Sequence, residues 1–392
     1  MRVVVAPDAY KGTATATEVA DALARGWRRR RPDDEVVVLP LADGGEGTAE
    51  VLATAHPGAR SVPAHVDGPD GRRHEAAWLA LPDGTAVVEL AGACGLPLLA
   101  EPDPLGAATT GLGQLSAAAL DGGATRLLVT LGGSASTDGG TGALAALGAR
   151  FLGPDWRPLP RGGRALHALT RIDTAGLRPP PPGGVDCLVD VTAPLLGPNG
   201  AARAFGPQKG ADADQVEQLE AGLAHLAAVT AAHVDRSADA TSAGPIKHPT
   251  DLVTAPGSGA AGGTGFGLAA LWGARLRPGA CAVADAVGLP AHLADADVVV
   301  TGEGAFDATS LQGKVVGALL DAVPSRARVA LVAGRLSTPP PTRVATSRSL
   351  VELAGGEAPA MHEPIRWLVR AGAELAASGW HGDGSAADPG RR

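Results

Sequence analysis

The chain is poor in aromatic residues, which make up 3% of its 392 positions, and it holds three cysteines. So few ring faces leave little for nucleobases to stack on, and a net charge of −8 gives no basic footprint. No nucleic-acid partner is therefore expected. Cys94, Cys187 and Cys281 lie far apart with no C-x-x-C, which suggests neither a disulfide framework nor a zinc knuckle. H-E-x-x-H and G-x-S-x-G are both missing, so a zinc protease and an α/β-hydrolase elbow have no support. A Walker A loop is absent too, since Gly313-Lys314 is followed by Val315 and lacks the upstream glycine. No apolar run approaches a membrane span, and the apolar part of the N-terminus, broken at Pro7-Asp8, is too short for a signal peptide. A cytoplasmic protein without a membrane partner is expected. The only basic run, Arg28 to Arg31, closes a predicted helix, where cations complement the helix dipole, and reads as a solvated terminus.

What is present is globular. Hydrophobic residues reach 45% and charged residues 19%, and the length favours two domains over one core. Thr125 to Gly148 organises the rest. Leu127 to Leu131 has the composition of a buried strand and runs into Gly132-Gly133-Ser134-Ala135-Ser136-Thr137-Asp138-Gly139-Gly140, then into an Ala/Leu helix. Strand, glycine turn and helix offer backbone N–H groups and a positive helix end to an anion. Asp138 fits such a site only with a cation beside it; the alternative is a tight turn with a capping aspartate.

Similar units recur along the chain. Arg2 to Ala6 is a predicted strand opening into Pro7-Asp8-Ala9-Tyr10-Lys11-Gly12-Thr13. A helix follows, with Thr15 and Glu18 as a capping box and Val19, Leu23 and Trp27 on one face. Val36 to Leu39 leads into Ala42-Asp43-Gly44-Gly45-Glu46-Gly47, and a strand from Asp186 delivers Asp190. Val298 to Val300 opens into Thr301-Gly302-Glu303-Gly304-Ala305-Phe306-Asp307. Pro154 to Gly184 reads as a Pro/Arg/Gly-rich surface excursion. Both chain ends alternate strand and helix, so residues 1–62 and 285–378 are expected to form a doubly wound Rossmann-like α/β domain. Residues 63–284 form an inserted α/β domain, and 379–392 a frayed tail.

Gly257-Ser258-Gly259-Ala260-Ala261-Gly262 is a literal G-x-G-x-x-G, but Pro256 precedes it and no buried strand feeds it, so a dinucleotide fold is disfavoured. What remains is a set of glycine loops carrying acids: Asp43 and Glu46, Asp138, Asp190, and Glu303 with Asp307. The lysines are Lys11, Lys209, Lys247 and Lys314, and all but Lys247 sit in or beside such loops. Acids for Mg²⁺, compact cations for phosphate and backbone donors are the parts of phosphoryl transfer, which needs no Ser/His/Asp constellation.

Seven motifs then carry a family resemblance. APDAYKGT (Ala6 to Thr13), LADGGEGT (Leu41 to Thr48), LGGSASTDGG (Leu131 to Gly140), DVTAPLLGPNGA (Asp190 to Ala201), FGPQKGA (Phe205 to Ala211), PGSGAAGG (Pro256 to Gly263) and TGEGAFD (Thr301 to Asp307) stand in family order. The chain resembles the bacterial type I glycerate kinases from Arg2 to about Ala377. The resemblance implies two α/β domains with the active site in the cleft between them, ATP and Mg²⁺, and phosphorylation of D-glycerate to 2-phosphoglycerate. It departs from the family pattern at Ala193 (usually Asn), at Ala305 (usually Arg) and at Ala9-Tyr10 (commonly Ser-Phe). On this footing Asp190 is assigned as the base and Lys209 as a catalytic cation. Asp8, Lys11, Gly132, Gly133, Ser134 and Lys314 are assigned to substrate or phosphate, and Asp43, Glu46, Asp138, Glu303 and Asp307 are metal candidates. The alternatives are a kinase for another small hydroxy acid, favoured by Ala193 and Ala305, and a non-catalytic acid binder.

Overall fold

Apolar runs rich in valine form the sheets of the computed structural model, which describes residues 1–237, 248–311 and 313–380. The strands in chain order are β1 (Arg2–Val5), β2 (Glu35–Val38), β3 (Arg60–Asp67), β4 (Arg73–Ala80), β5 (Thr85–Glu89), β6 (Arg126–Thr130), β7 (Arg150–Leu152), β8 (Arg171–Asp173), β9 (Val185–Val189), β10 (Arg275–Pro278), β11 (Val298–Phe306), β12 (Arg328–Leu336) and β13 (Val344–Ser349). Among the described residues no helix is long and apolar enough to cross a membrane. The chain divides into two units, Met1–Leu41 with Val287–Arg392, and Ala42–Ala286.

The first unit is an all-parallel sheet in the order β13-β12-β11-β1-β2. Side chains alternate between faces along each strand, and the partition of its core follows that period. Val3, Val5, Val298, Val300, Ala330 and Val332 face Leu23 and Trp27 of the helix Ala16–Arg30 and Leu368 and Leu375 of the helix Pro364–Ala376. On the opposite face Leu331 and Ala333 meet Phe306 and Val316. The unit is thus doubly wound, as expected, with β1 and β11 adjacent at its centre. Counted within the unit, the order is the flavodoxin-like 2-1-3-4-5, which puts the switch point between β1 and β11. The capping box forms as read: Thr15 Oγ1 accepts from Glu18 N at 3.3 Å, and Glu18 Oε2 accepts from Thr15 N at 2.9 Å.

The inserted unit carries the mixed sheet β10-β9-β6-β5-β4-β3, parallel from β10 to β5 and antiparallel at β4 and β3. Residues 42–62, read as part of the first domain, fall in this unit. The helix Thr48–Ala55 is tied to it by Ala49 N, which donates to Glu89 at the end of β5 (3.0 Å). Pro154 to Gly184 is more than a surface excursion. Its Leu166, Leu169 and Ile172 are buried with Leu219, Leu223 and Leu226 of the helix Ala213–Ser237, because scattered apolar residues among the prolines find one helix face. At the amino ends of the strands Asp186, fully buried, is held by Arg126, Arg275 and Arg277. The expected tail starts too early. Trp380 is buried beside Trp27 at a ring separation of 5.7 Å, whereas residues 381–392 lie outside the described residues.

Candidate active site

In the inserted unit the carboxyl ends of β5, β6 and β9 open on a cavity of about 600 Å³. That volume suits a small-molecule ligand, and this end of a parallel sheet is where ligands bind. Asp190, Lys209, Gly132, Gly133, Ser134 and Glu46 all line it. Gly132 has no room for a side chain, because a Cβ there would stand 2.7 Å from Gly45 Cα; the two glycine loops touch through bare backbone. The N–H groups of Gly132, Gly133 and Ser134 donate to no other group among the described residues. Three successive open donors on residues that line a cavity are the makings of an anion-binding concavity. One wall is apolar, with Leu96, Pro97, Leu98 and Phe205.

Lys209 ends the short helix Pro207–Lys209 and is 3% exposed, its Nζ donating to the carbonyl of Ser136. Burial lowers its pKa from 10.5 to about 8, with Asp138 opposing the drop. The ammonium remains the main form at neutral pH. It is therefore a buried, unscreened cation in a cavity that also presents three backbone donors.

Asp138 is not a metal candidate in this geometry. It is wholly buried, and its oxygens accept from Thr109 N at 2.9 Å, Thr109 Oγ1 at 2.8 Å, Gly140 N at 3.1 Å and Gly142 N at 3.2 Å. Burial raises its pKa although these donors act the other way. Two loops and the start of the helix Thr141–Ala146 are pinned by one carboxylate, which is the capping alternative. Asp43 also turns inward on its own loop, its Oδ1 accepting from Gly45 N at 3.1 Å, and it does not line the cavity.

Glu89 was missed in the sequence, yet it lines the cavity beside Glu46. Burial raises its carboxyl above the usual range, with Glu46 adding and the Ala49 N–H opposing. Glu89 ends a strand as the recognised acids do, but the helix Leu90–Cys94 follows it directly in place of a glycine-rich turn. Gln208, beside Lys209, carried no comparable signal.

The first unit holds a second charged set at its switch point. Asp8, Tyr10 and Lys11 follow β1, Glu303 lies in β11, and Asp307, Ser310 and Lys314 follow it. Tyr10 is 2% exposed and donates to the carbonyl of Val332 at 2.8 Å; burial, then Glu303 and Asp8, push its pKa well up. Asp307 Oδ1 accepts from Thr309 N and Oγ1, both at 2.7 Å, while Lys314 Nζ donates to Thr309 Oγ1 at 3.1 Å. Glu303 is 8% exposed, and among the described residues its Oε1 has no hydrogen-bond partner. Burial raises its pKa against the pull of Ser310, Lys314 and Lys11. A buried carboxylate oxygen without a donor is costly unless a ligand supplies one. Ala305 pairs in register with Arg335 on β12, whose exposed guanidinium lies 3.9 Å from Glu357.

Comparison with known proteins settles the family. A model described as the glycerate kinase family matches residues 3–378. The chain belongs to the glycerate kinase family. Among its relatives, the glycerate 2-kinase of Escherichia coli (strain K12) is 42% identical over 324 residues, 80% of each chain. The glycerate kinase of Bacillus subtilis (strain 168) is 40% identical over 318 residues, covering 80% of this chain and 79% of that one. A crystal structure from Salmonella typhimurium LT2, assigned to glycerate kinase 2, superposes with a TM-score of 0.80 at 35% identity, over 96% of this chain and 97% of that chain. Membership in this family makes the chain a phosphotransferase with an alcohol acceptor.

Proposed function

We propose that this enzyme transfers the γ-phosphoryl group of ATP to the 2-hydroxyl of D-glycerate, giving 2-phosphoglycerate and ADP. The observation that carries the reading is the meeting of Asp190, Lys209 and the open N–H groups of Gly132 to Ser134 in one cavity. Asp190 accepts the proton of the 2-hydroxyl as its oxygen attacks the γ-phosphorus and the bond to ADP breaks. The backbone donors hold phosphoryl oxygens, and Lys209 offsets the charge that spreads over them in the transition state. Lys11 and Lys314 are assigned to the anionic groups of the substrates, and Asp8 to a substrate contact beside Lys11. The names of the relatives and the seven motifs support glycerate as the acceptor.

Mg²⁺ fits these residues as a companion of ATP rather than in a protein cage. No group of three metal-ligating side chains occurs among the described residues, and Mg²⁺ commonly takes one or two carboxylates with the remaining positions on phosphate and water. Glu46 in the cavity, and Glu303 with its unpartnered Oε1 beside Asp307, are the carboxylates that would serve. Bound with ATP, the ion neutralises charge on the phosphate oxygens.

The test is ADP release with D-glycerate and Mg·ATP, the product then being fed to enolase with no mutase present. Immediate conversion identifies 2-phosphoglycerate, and none identifies the 3-isomer. Asp190→Asn should lower kcat at least a hundredfold while ATP affinity changes little. Equal losses in both would remove Asp190 from the role of base.

A further inference from the structure

A second cavity, of about 820 Å³, opens in the inserted unit beside the β7–β8 ribbon and the last turns of the helix Ala213–Ser237. It shares no lining residue with the cavity of Asp190 and Lys209. Its wall carries an aromatic ring and two guanidiniums that the phosphoryl-transfer proposal does not use. Trp156 is 64% exposed, so most of a large apolar ring that burial would stabilise is left in water. The guanidinium of Arg171 lies 4.9 Å from the centroid of that ring. Among the described residues, neither Arg171 nor Arg236 has a carboxylate within ion-pair distance. The acid next along the ribbon, Asp173, is instead approached by Arg150 at 3.8 Å and by Ala175 N at 3.0 Å.

The two guanidiniums act on the same part of the cavity. His233, whose Nε2 lies 3.2 Å from Thr174 Oγ1, has its pKa lowered first by burial and then by Arg236, with Arg171 also contributing and Asp173 opposing. Trp156, with Arg171 over one face of its ring and most of the rest in water, stands in one cavity wall with Arg236. Two guanidiniums without an ion-pair partner among the described residues, beside an open indole, select for a flat ring that carries an anionic group. A bare anion would make no use of the indole, and an apolar segment would leave the guanidiniums desolvated. The size also fits: 820 Å³ is within the range of pockets for ligands of a few hundred daltons.

We propose that this cavity binds a nucleoside monophosphate, with its base stacked on Trp156 and its phosphate held by Arg171 and Arg236. Arg–phosphate pairs are strong and directional, and stacking on an aromatic side chain tolerates any base. The site is separate from the one that turns over ATP, so it stands whether or not D-glycerate is the acceptor.

The probe is AMP, which has no γ-phosphoryl group to transfer, titrated calorimetrically into the full chain. A site is expected that persists in Lys209→Met, weakens about tenfold or more in Trp156→Ala, and weakens at least as much in Arg171→Ala/Arg236→Ala. Trp156→Phe, which keeps a ring, and Arg171→Lys, which keeps a charge, should each restore part of the affinity and so separate recognition from misfolding. The basal kcat of Trp156→Ala should equal that of the parent. The proposal is overturned if no saturable binding appears at millimolar AMP, or if Trp156→Ala and the double variant bind as the parent does. It is also overturned if Lys209→Met alone abolishes binding, or if inorganic phosphate binds as tightly as AMP.

Discussion

Lys209→Met should give an enzyme that is more stable and nearly inactive. The side chain is 3% exposed, and burial takes its pKa from 10.5 to about 8. A base whose folded pKa lies below its unfolded one destabilises the fold while it is protonated. That cost is fully present below pH 8 and disappears as the pH rises through 8 towards 10.5. A drop of roughly 2.5 in pKa at about 1.4 kcal/mol each gives about 3 kcal/mol at pH 7. Methionine keeps most of the chain length without the charge. Against the gain, the Ser136 carbonyl loses its donor, which costs about 1–2 kcal/mol. The net gain is then about 1–2 kcal/mol, or a rise of a few degrees in Tm for a unit of this size. Turnover should fall by about 10²–10³, the usual loss when one preorganised donor to transition-state charge is removed. The parent's rate should itself decline above about pH 8 as the ammonium discharges. Differential scanning fluorimetry and coupled ADP release measure the pair of effects. A Tm lowered by several degrees, or a kcat within tenfold of the parent, refutes the account of Lys209 as a cation kept for catalysis against stability.

Asp186 tests the opposite case, a buried charge that serves the fold. Burial alone would raise its pKa, but Arg126 and Arg275 hold it below the usual carboxylate range. Its stabilisation is present above the unfolded carboxyl pKa and is lost as the pH falls through the folded value. Asp186→Ala, which frees three partly solvated arginines at the sheet's amino end, should cost about 1–3 kcal/mol in denaturant unfolding while KM for both substrates stays within twofold. Gly132→Ala should behave conversely. Its Cβ would press on Gly45 Cα at 2.7 Å, displacing the anion-binding loop, so KM for ATP should rise at least tenfold; an unchanged KM would show that those N–H groups do not hold phosphate.

Local chemistry was legible in the chain wherever one element specifies itself. The Thr15–Glu18 box, the Val19/Leu23/Trp27 face and the strand-to-loop position of Asp190 needed only sequence periodicity and capping rules. Asp138 and Glu303 show where that reading stops. Both are acids in glycine-rich strand-to-loop segments, yet one is filled by four donors from two loops and the other has an oxygen with none. The difference lies in Thr109, which is 29 residues away from Asp138 and signalled nothing. Glu89 was overlooked for a related reason. The short helix Leu90–Cys94 follows it directly, without the glycine-rich turn that marked the others, and only the adjacency of β5 and β6 brings it to the cavity. The Arg/Pro-rich segment read as surface gains its buried face from Leu219 and Leu223. These stand on a helix that starts at Ala213, beyond β9 and the Asp190 loop, so nothing local to Ile172 announces them.

The order of strands and glycine loops, the apolar faces and the family motifs were fixed by the residues themselves, because short-range sterics and the periods of helix and strand act within one element. Local turns offer Asp43 and Asp138 backbone donors, but which carboxylates are saturated by distant donors, as Asp138 is by Thr109, and which keep an open oxygen was decided by tertiary packing. The same holds for the burial that leaves Lys209 a weak acid near pH 8. Desolvation and hydrogen-bond saturation depend on what distant segments place around a group, and no local pattern encodes that.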